Sequence, residues 1–277
     1  MNAITEHRTV VLGLDSIDLN LMRKWAGEGH LPFYARCLET LPMVPLATPS
    51  RALQGAIWPS LLTGMSPGRH GLYLQEQLET GTYRMSERRA DFSRLRYYYE
   101  FLMEVGVQCG IADVPVDRPV ADFKGLHIVD WGTEFRFWDY ATQPPEFAEE
   151  IVKRIGAHPL DARQFSGDSQ QSHLKLNRQI QGGIEKKEGL ARLLIERSDL
   201  DHVFVVFGEP HKAGHWLWKY WDQSHPDHEA APAELRSGLL DCYQGIDRAL
   251  EALSRKLPED TNLIIFSDHG MQANYRG

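Results

Sequence analysis

Cysteine is scarce: Cys37, Cys109 and Cys242 are the only three in 277 residues, they lie far apart, and none stands in CxxC spacing. Neither a disulfide framework nor a cysteine zinc site is indicated, and a reducing compartment is the expectation. Long apolar runs are also missing. No stretch approaches the ~20 apolar residues of a membrane helix, and the opening MNAITEHRTVVLGLD lacks the layout of a signal peptide, so the chain reads as cytoplasmic with no membrane contact. Nor is there a basic excess. A formal net charge of −8 offers no long-range attraction to a phosphate backbone or an anionic membrane, so nucleic acid is not the first partner to expect. The sequence shows no internal repeat and no low-complexity tract.

What is present is ample material for a core: 42% of the residues are apolar, and the length sits between one large domain and two ordinary ones. Residues 9–14 (TVVLGL) form a β-branched apolar run, the signature of a strand buried on both faces. Residues 202–207 (HVFVVF) and 262–266 (NLIIF) repeat the pattern. Shorter strands are predicted at 43–46, 107–112 and 126–129. Helical spacing marks 19–25, 31–38, 59–63, 144–155, 170–196 and 234–257, with Gly182 and Gly183 placed to kink the fifth of these. The alternation of strand and helix predicts a doubly wound, mostly parallel α/β sheet flanked by helices. One domain over 1–277 is expected, with a surface excursion around 75–100, rich in arginine and tyrosine, and a helical insertion around 144–198.

Ligands of such sheets bind at the carboxyl ends of the strands. Three strong strands here end in candidate ligands: Asp15 after the first, Glu209, His211 and His215 after the second, and Asp268 and His269 after the third. Mixed carboxylate and imidazole donors suit zinc, and manganese or iron accept them too. A lone aspartate at a strand end is commonly a helix cap and a lone histidine commonly structural; the convergence of three strand ends favours a metal site. The segment 57–73 (IWPSLLTGMSPGRHGLY) holds a short helix and a turn in which Arg69 and His70 either face an anion or merely cap the structure.

The ordered set VVLGLDSIDLNLMRKWAGEGHLPFYARCLET, WPSLLTGMSPGRHGLY, FGEPHKAGHW and FSDHGM resembles the alkaline phosphatase superfamily, specifically its type I phosphodiesterase and nucleotide pyrophosphatase branch. The resemblance spans nearly the whole chain. It implies an alkaline phosphatase-like core holding two divalent metal ions, usually zinc, around a hydroxyl nucleophile, and a small-molecule phosphate ester as substrate. By position, Asp15, Asp268 and His269 match ligands of one metal and His215 a ligand of the other. His211 stands where the family pattern has aspartate, and a neutral imidazole there leaves a more positive site.

Gln54 occupies the place of the family nucleophile, and glutamine cannot take a phosphoryl group in that role. Ser60, at a predicted helix start beside Pro59, is the nearest well-placed hydroxyl; direct attack by water is the other route. The family's further histidine, and the strands that accompany it, have no counterpart after SDHG, so a shortened piece of a larger fold is expected. Three readings follow from the resemblance: a metal-dependent hydrolase of phosphate monoesters or diesters, a degenerate member that binds a ligand or partner without turnover, and a sulfate or phosphonate ester hydrolase.

Overall fold

The structure is a computed structural model describing residues 7–50, 53–74, 76–87, 94–132, 138–160 and 167–272. Its centre is a six-stranded sheet of β1 (Arg8–Leu14), β4 (Cys109–Ala112), β5 (Gly125–Val129), β6 (Ala141–Gln143), β7 (His202–Phe207) and β8 (Thr261–Ser267), in the order β6-β5-β4-β7-β1-β8. All neighbours pair in parallel except β6, which runs antiparallel to β5 at one edge. The strands alternate between two cores, as a period of two requires. On β7, Val203, Val205 and Phe207 face the larger core while Phe204 and Val206 face the smaller one.

Helices cover both faces. The larger core takes side chains from α1 (Leu19–Gly27), α2 (Pro32–Thr40), α6 (Phe147–Arg154), α7 (Gln170–Ile195), α8 (Glu209–Trp221) and α9 (Ala233–Ser254). The smaller is closed by α3 (Ile57–Thr63) and α5 (Tyr98–Glu104), while α4 (Pro67–His70) is a single turn. Asp247, midway along α9, accepts hydrogen bonds from the backbone N–H groups of Phe33 and Tyr34 at 3.0 and 2.8 Å. It thereby caps α2, whose own N-cap residue, Leu31, has no side-chain oxygen to offer.

The structure departs from the sequence expectations at several points, among them helix α8 and strand β6, which the sequence reading does not predict. No strand forms at 43–46; Val44 and Leu46 are exposed, and Pro42, Pro45 and Pro49 deny the segment the donors a ladder needs. The region around 75–100 begins as an exposed hairpin, β2 (Glu76–Leu78) with β3 (Met85–Glu87), but ends in the core. Tyr97 and Tyr99 are fully buried because their hydroxyls are served by Val116 O and Asp117. Finally, α7 is helical without a break through Gly182 and Gly183. A Cβ on Gly183 would stand 3.0 Å from Glu209 Oε1 and 3.1 Å from His158 Cε1, so that glycine makes room for a buried pair and introduces no kink.

Candidate metal centre

The register of three strands builds the site. Leu14 lies beside Phe207 on β7 and beside Ser267 on β8, so the parallel strands β7, β1 and β8 end level with one another. The residues that follow are therefore neighbours: Asp15, the α8 N-terminus with Glu209 and His211, and Asp268 with His269. The Asp15 N–H donates to Phe207 O at 3.0 Å, and the Ser267 hydroxyl reaches Ile17 O at 3.0 Å, tying the loops together. His211 and His215 lie four residues apart on α8 and share one face.

One ligand atom from each of Asp15, His211 and His269 lies within 4.8 Å of the others. His211 Nδ1 is 3.2 Å from Asp15 Oδ1, and the His211 and His215 Nε2 atoms are 2.9 Å apart. Asp268 Oδ1 accepts the Ser16 N–H at 2.9 Å, while its Oδ2 sits 3.6 Å from His269 Nε2. The five predicted ligands thus form one continuous cluster, with His211 bridging the Asp15 and His215 sides. At its centre is a residue the sequence reading passed over. Ser16 is buried, adopts φ of +60°, and places its Oγ 3.0 Å from Asp15 Oδ1, 2.8 Å from His211 Nδ1 and 3.0 Å from His269 Nε2.

Burial pushes the Asp15 carboxyl up, but His211, His269 and the Ser16 hydroxyl together hold it below its usual range. Asp268 is raised to about 6 by burial and by the neighbouring Asp15 charge. His215 is lowered to about 4 by burial and by His211, so its ring stays neutral at pH 7.

Two observations test whether a cation suits these donors. Asp268 Oδ2 is buried and accepts no hydrogen bond, which a native fold tolerates only where something else meets the charge. The His269 Nδ1–H donates to Gly270 O at 2.8 Å, so in the neutral ring Nε2 presents a lone pair. That lone pair faces the Ser16 hydroxyl at 3.0 Å. A histidine oriented by a backbone carbonyl is how metal-ligating imidazoles are held. The residues fit a divalent cation.

Ser60 lies elsewhere. Its Oγ is 3.0 Å from His70 Nε2, and His70 Nδ1 accepts the Leu72 N–H at 3.0 Å. The neutral ring, favoured by burial, therefore carries its proton on Nε2 and donates it to Ser60. Gln54 opens a 3₁₀ turn, Gln54–Ala56, with its side chain exposed. The aromatic segment 129–140 lies partly outside the described residues; its Trp131 packs against His158 and beneath Lys187.

A family model for type I phosphodiesterase / nucleotide pyrophosphatase matches residues 9–276. The chain belongs to that family. Among solved structures, this phosphodiesterase-family chain is similar to phosphonoacetate hydrolase from Sinorhizobium meliloti 1021. The complex with phosphonoformate aligns at a TM-score of 0.54 and 14% identity, covering 95% of this chain and 57% of that one. The complex with phosphonoacetate aligns at 0.53 and 15%, with the same coverage. No curated protein matches the family member in sequence. The doubly wound, alkaline phosphatase-like α/β fold is therefore the fold of this chain, which spans 57% of the length of that hydrolase. No helix among the described residues is long and apolar enough to cross a membrane.

Proposed function

We propose that this phosphodiesterase-family chain is a metal-dependent hydrolase of small-molecule phosphate monoesters or diesters. The observation that carries the reading is the convergence of Asp15, His211 and His269 at three level strand ends, beside a buried Asp268 oxygen with no hydrogen-bond partner. Asp15, His211 and His269 would hold a divalent ion, with Asp268 and His215 adjoining; zinc is favoured by the nitrogen content, and manganese or iron fit the mixed donors. The resemblance suggests two ions. When bound, such ions neutralise the ester's oxygens and favour an attacking oxygen at neutral pH. The chain's own part is orientation: Gly270 O fixes the His269 ring, His215 fixes that of His211, and the Ser16 N–H fixes Asp268.

Metal content of the purified protein, followed by turnover of p-nitrophenyl phosphate, its bis-ester, a phosphonate ester and the sulfate, tests this. Bound zinc, manganese or iron and turnover of a phosphate ester, lost in Asp268→Ala, are expected. A protein that neither holds metal nor gains thermal stability from it overturns the reading. The exposed Gln54 and the engagement of Ser60 with His70 favour a second reading, binding without turnover; metal and phosphate-ester binding with no hydrolysis of any ester would select it.

A further inference from the structure

We propose that the Ser16 hydroxyl is itself a ligand of the ion held by Asp15, His211 and His269, a fourth protein donor supplied by the residue next to the first. The inference rests on the metal-site reading above. Four ligand atoms arranged tetrahedrally at ordinary zinc distances lie roughly 3.3–3.5 Å from one another. Ser16 Oγ is 3.0 Å from Asp15 Oδ1, 2.8 Å from His211 Nδ1 and 3.0 Å from His269 Nε2, and Asp15 Oδ1 is 3.2 Å from His211 Nδ1. These four separations are hydrogen-bond lengths, roughly 0.1–0.7 Å shorter than the edges of such a shell.

The backbone supports the assignment. Ser16 holds φ of +60°, the left-handed region that L residues rarely enter. That conformation turns the side chain back toward the strand ends and aims the Ser16 N–H at Asp268. Glycine adopts it freely. The buried Oγ contacts three of the cluster's donors; a neutral oxygen donor among one carboxylate and two imidazoles leaves the bound ion with a net positive charge available to an anionic ester.

The test uses the full chain with Co²⁺ as probe, measuring affinity by equilibrium dialysis and coordination by visible absorption. Ser16→Gly suits the left-handed backbone and retains the fold, as circular dichroism would verify. We expect Ser16→Gly and Ser16→Ala to weaken Co²⁺ binding by about tenfold or more. Ser16→Cys should add a thiolate-to-cobalt charge-transfer band, which appears only if the atom at this position touches the ion. If wild type binds Co²⁺ while Ser16→Gly binds equally or more tightly and Ser16→Cys shows no such band, the hydroxyl is only a strut between the ligands and the inference falls alone. If wild type binds no Co²⁺, the metal-site reading falls and this inference with it.

Discussion

Asp268→Asn should stabilise the metal-free protein and weaken its response to metal. The Asp268 carboxyl, raised from 3.8 to about 6 by burial and by Asp15, binds protons more readily in the folded than in the unfolded chain. Its contribution is therefore most favourable below pH 3.8 and is lost as pH rises through 6. A rise of that size corresponds to about 3 kcal/mol of penalty at pH 8. Asparagine removes the charge and keeps an acceptor for the Ser16 N–H. It also places an amide where Oδ2 had no hydrogen-bond partner, which returns about 1–2 kcal/mol of cost. The net gain in chelator at pH 8 should be about 1–2 kcal/mol, roughly 3–6 °C in melting temperature, and should turn into a small net loss near pH 4. Zinc or manganese at a hundredfold excess over its dissociation constant should stabilise wild type by about 2.7 kcal/mol and the variant by less. Thermal melts with chelator and with metal, across pH, measure all of this. A variant less stable than wild type in chelator at pH 8, or one shifted equally by metal, would refute the argument.

Other perturbations probe the scaffold. Lys187 and Asp113 form a fully buried ion pair, so Lys187→Met should cost about 3–5 kcal/mol in urea unfolding, and Asp113→Asn in the same chain should recover most of it; equal loss in the double variant would show that the pair does not act as a unit. His202, held at about 4 by burial, with Nε2 2.7 Å from the Tyr98 hydroxyl, binds fewer protons folded than unfolded. Its stabilising contribution is complete above pH 6.5 and is lost as pH falls toward 4, a loss of order 3 kcal/mol, and His202→Gln should flatten wild-type acid sensitivity across that window. Asp247→Ala should cost about 1–2 kcal/mol by uncapping α2, read as a lower urea midpoint with little change in metal affinity.

Much of the fold is legible in composition because the central strands are buried on both faces. TVVLGL and HVFVVF need no alternation to be recognised and became β1 and β7, while NLIIF became β8, the edge strand beside β1, with Ile264 exposed. Segments whose fate depends on distant partners are less legible. The tyrosines at 97 and 99 read as polar surface until Val116 and Asp117 serve their hydroxyls. Gly183 reads as a helix weakness until Glu209 and His158 are found to need its space. The α8 helix begins directly at Glu209, and its apolar positions are interrupted by histidines and lysines, so its periodicity is hard to see in EPHKAGHWLWKYW.

The site divides in the same way, and its two serines show why. Ligand types at strand ends are visible in sequence, and the level register of β7, β1 and β8 brings them together. The sign of a backbone dihedral is not visible, and it decides which hydroxyl enters the cluster. Ser60 has the better local setting, at a helix start beside proline, yet it sits mid-way along α3 and receives the His70 Nε2–H. Ser16, in the unremarkable run LDSID, is turned inward by one left-handed residue. The two serines therefore make opposite predictions. Ser60→Ala removes one partly buried hydrogen bond, costing about 1 kcal/mol, and should leave Co²⁺ affinity unchanged, whereas Ser16→Ala should weaken it. A Ser60→Ala protein with normal stability and lost ester turnover would overturn this division, because only a hydroxyl that meets substrate could produce that result.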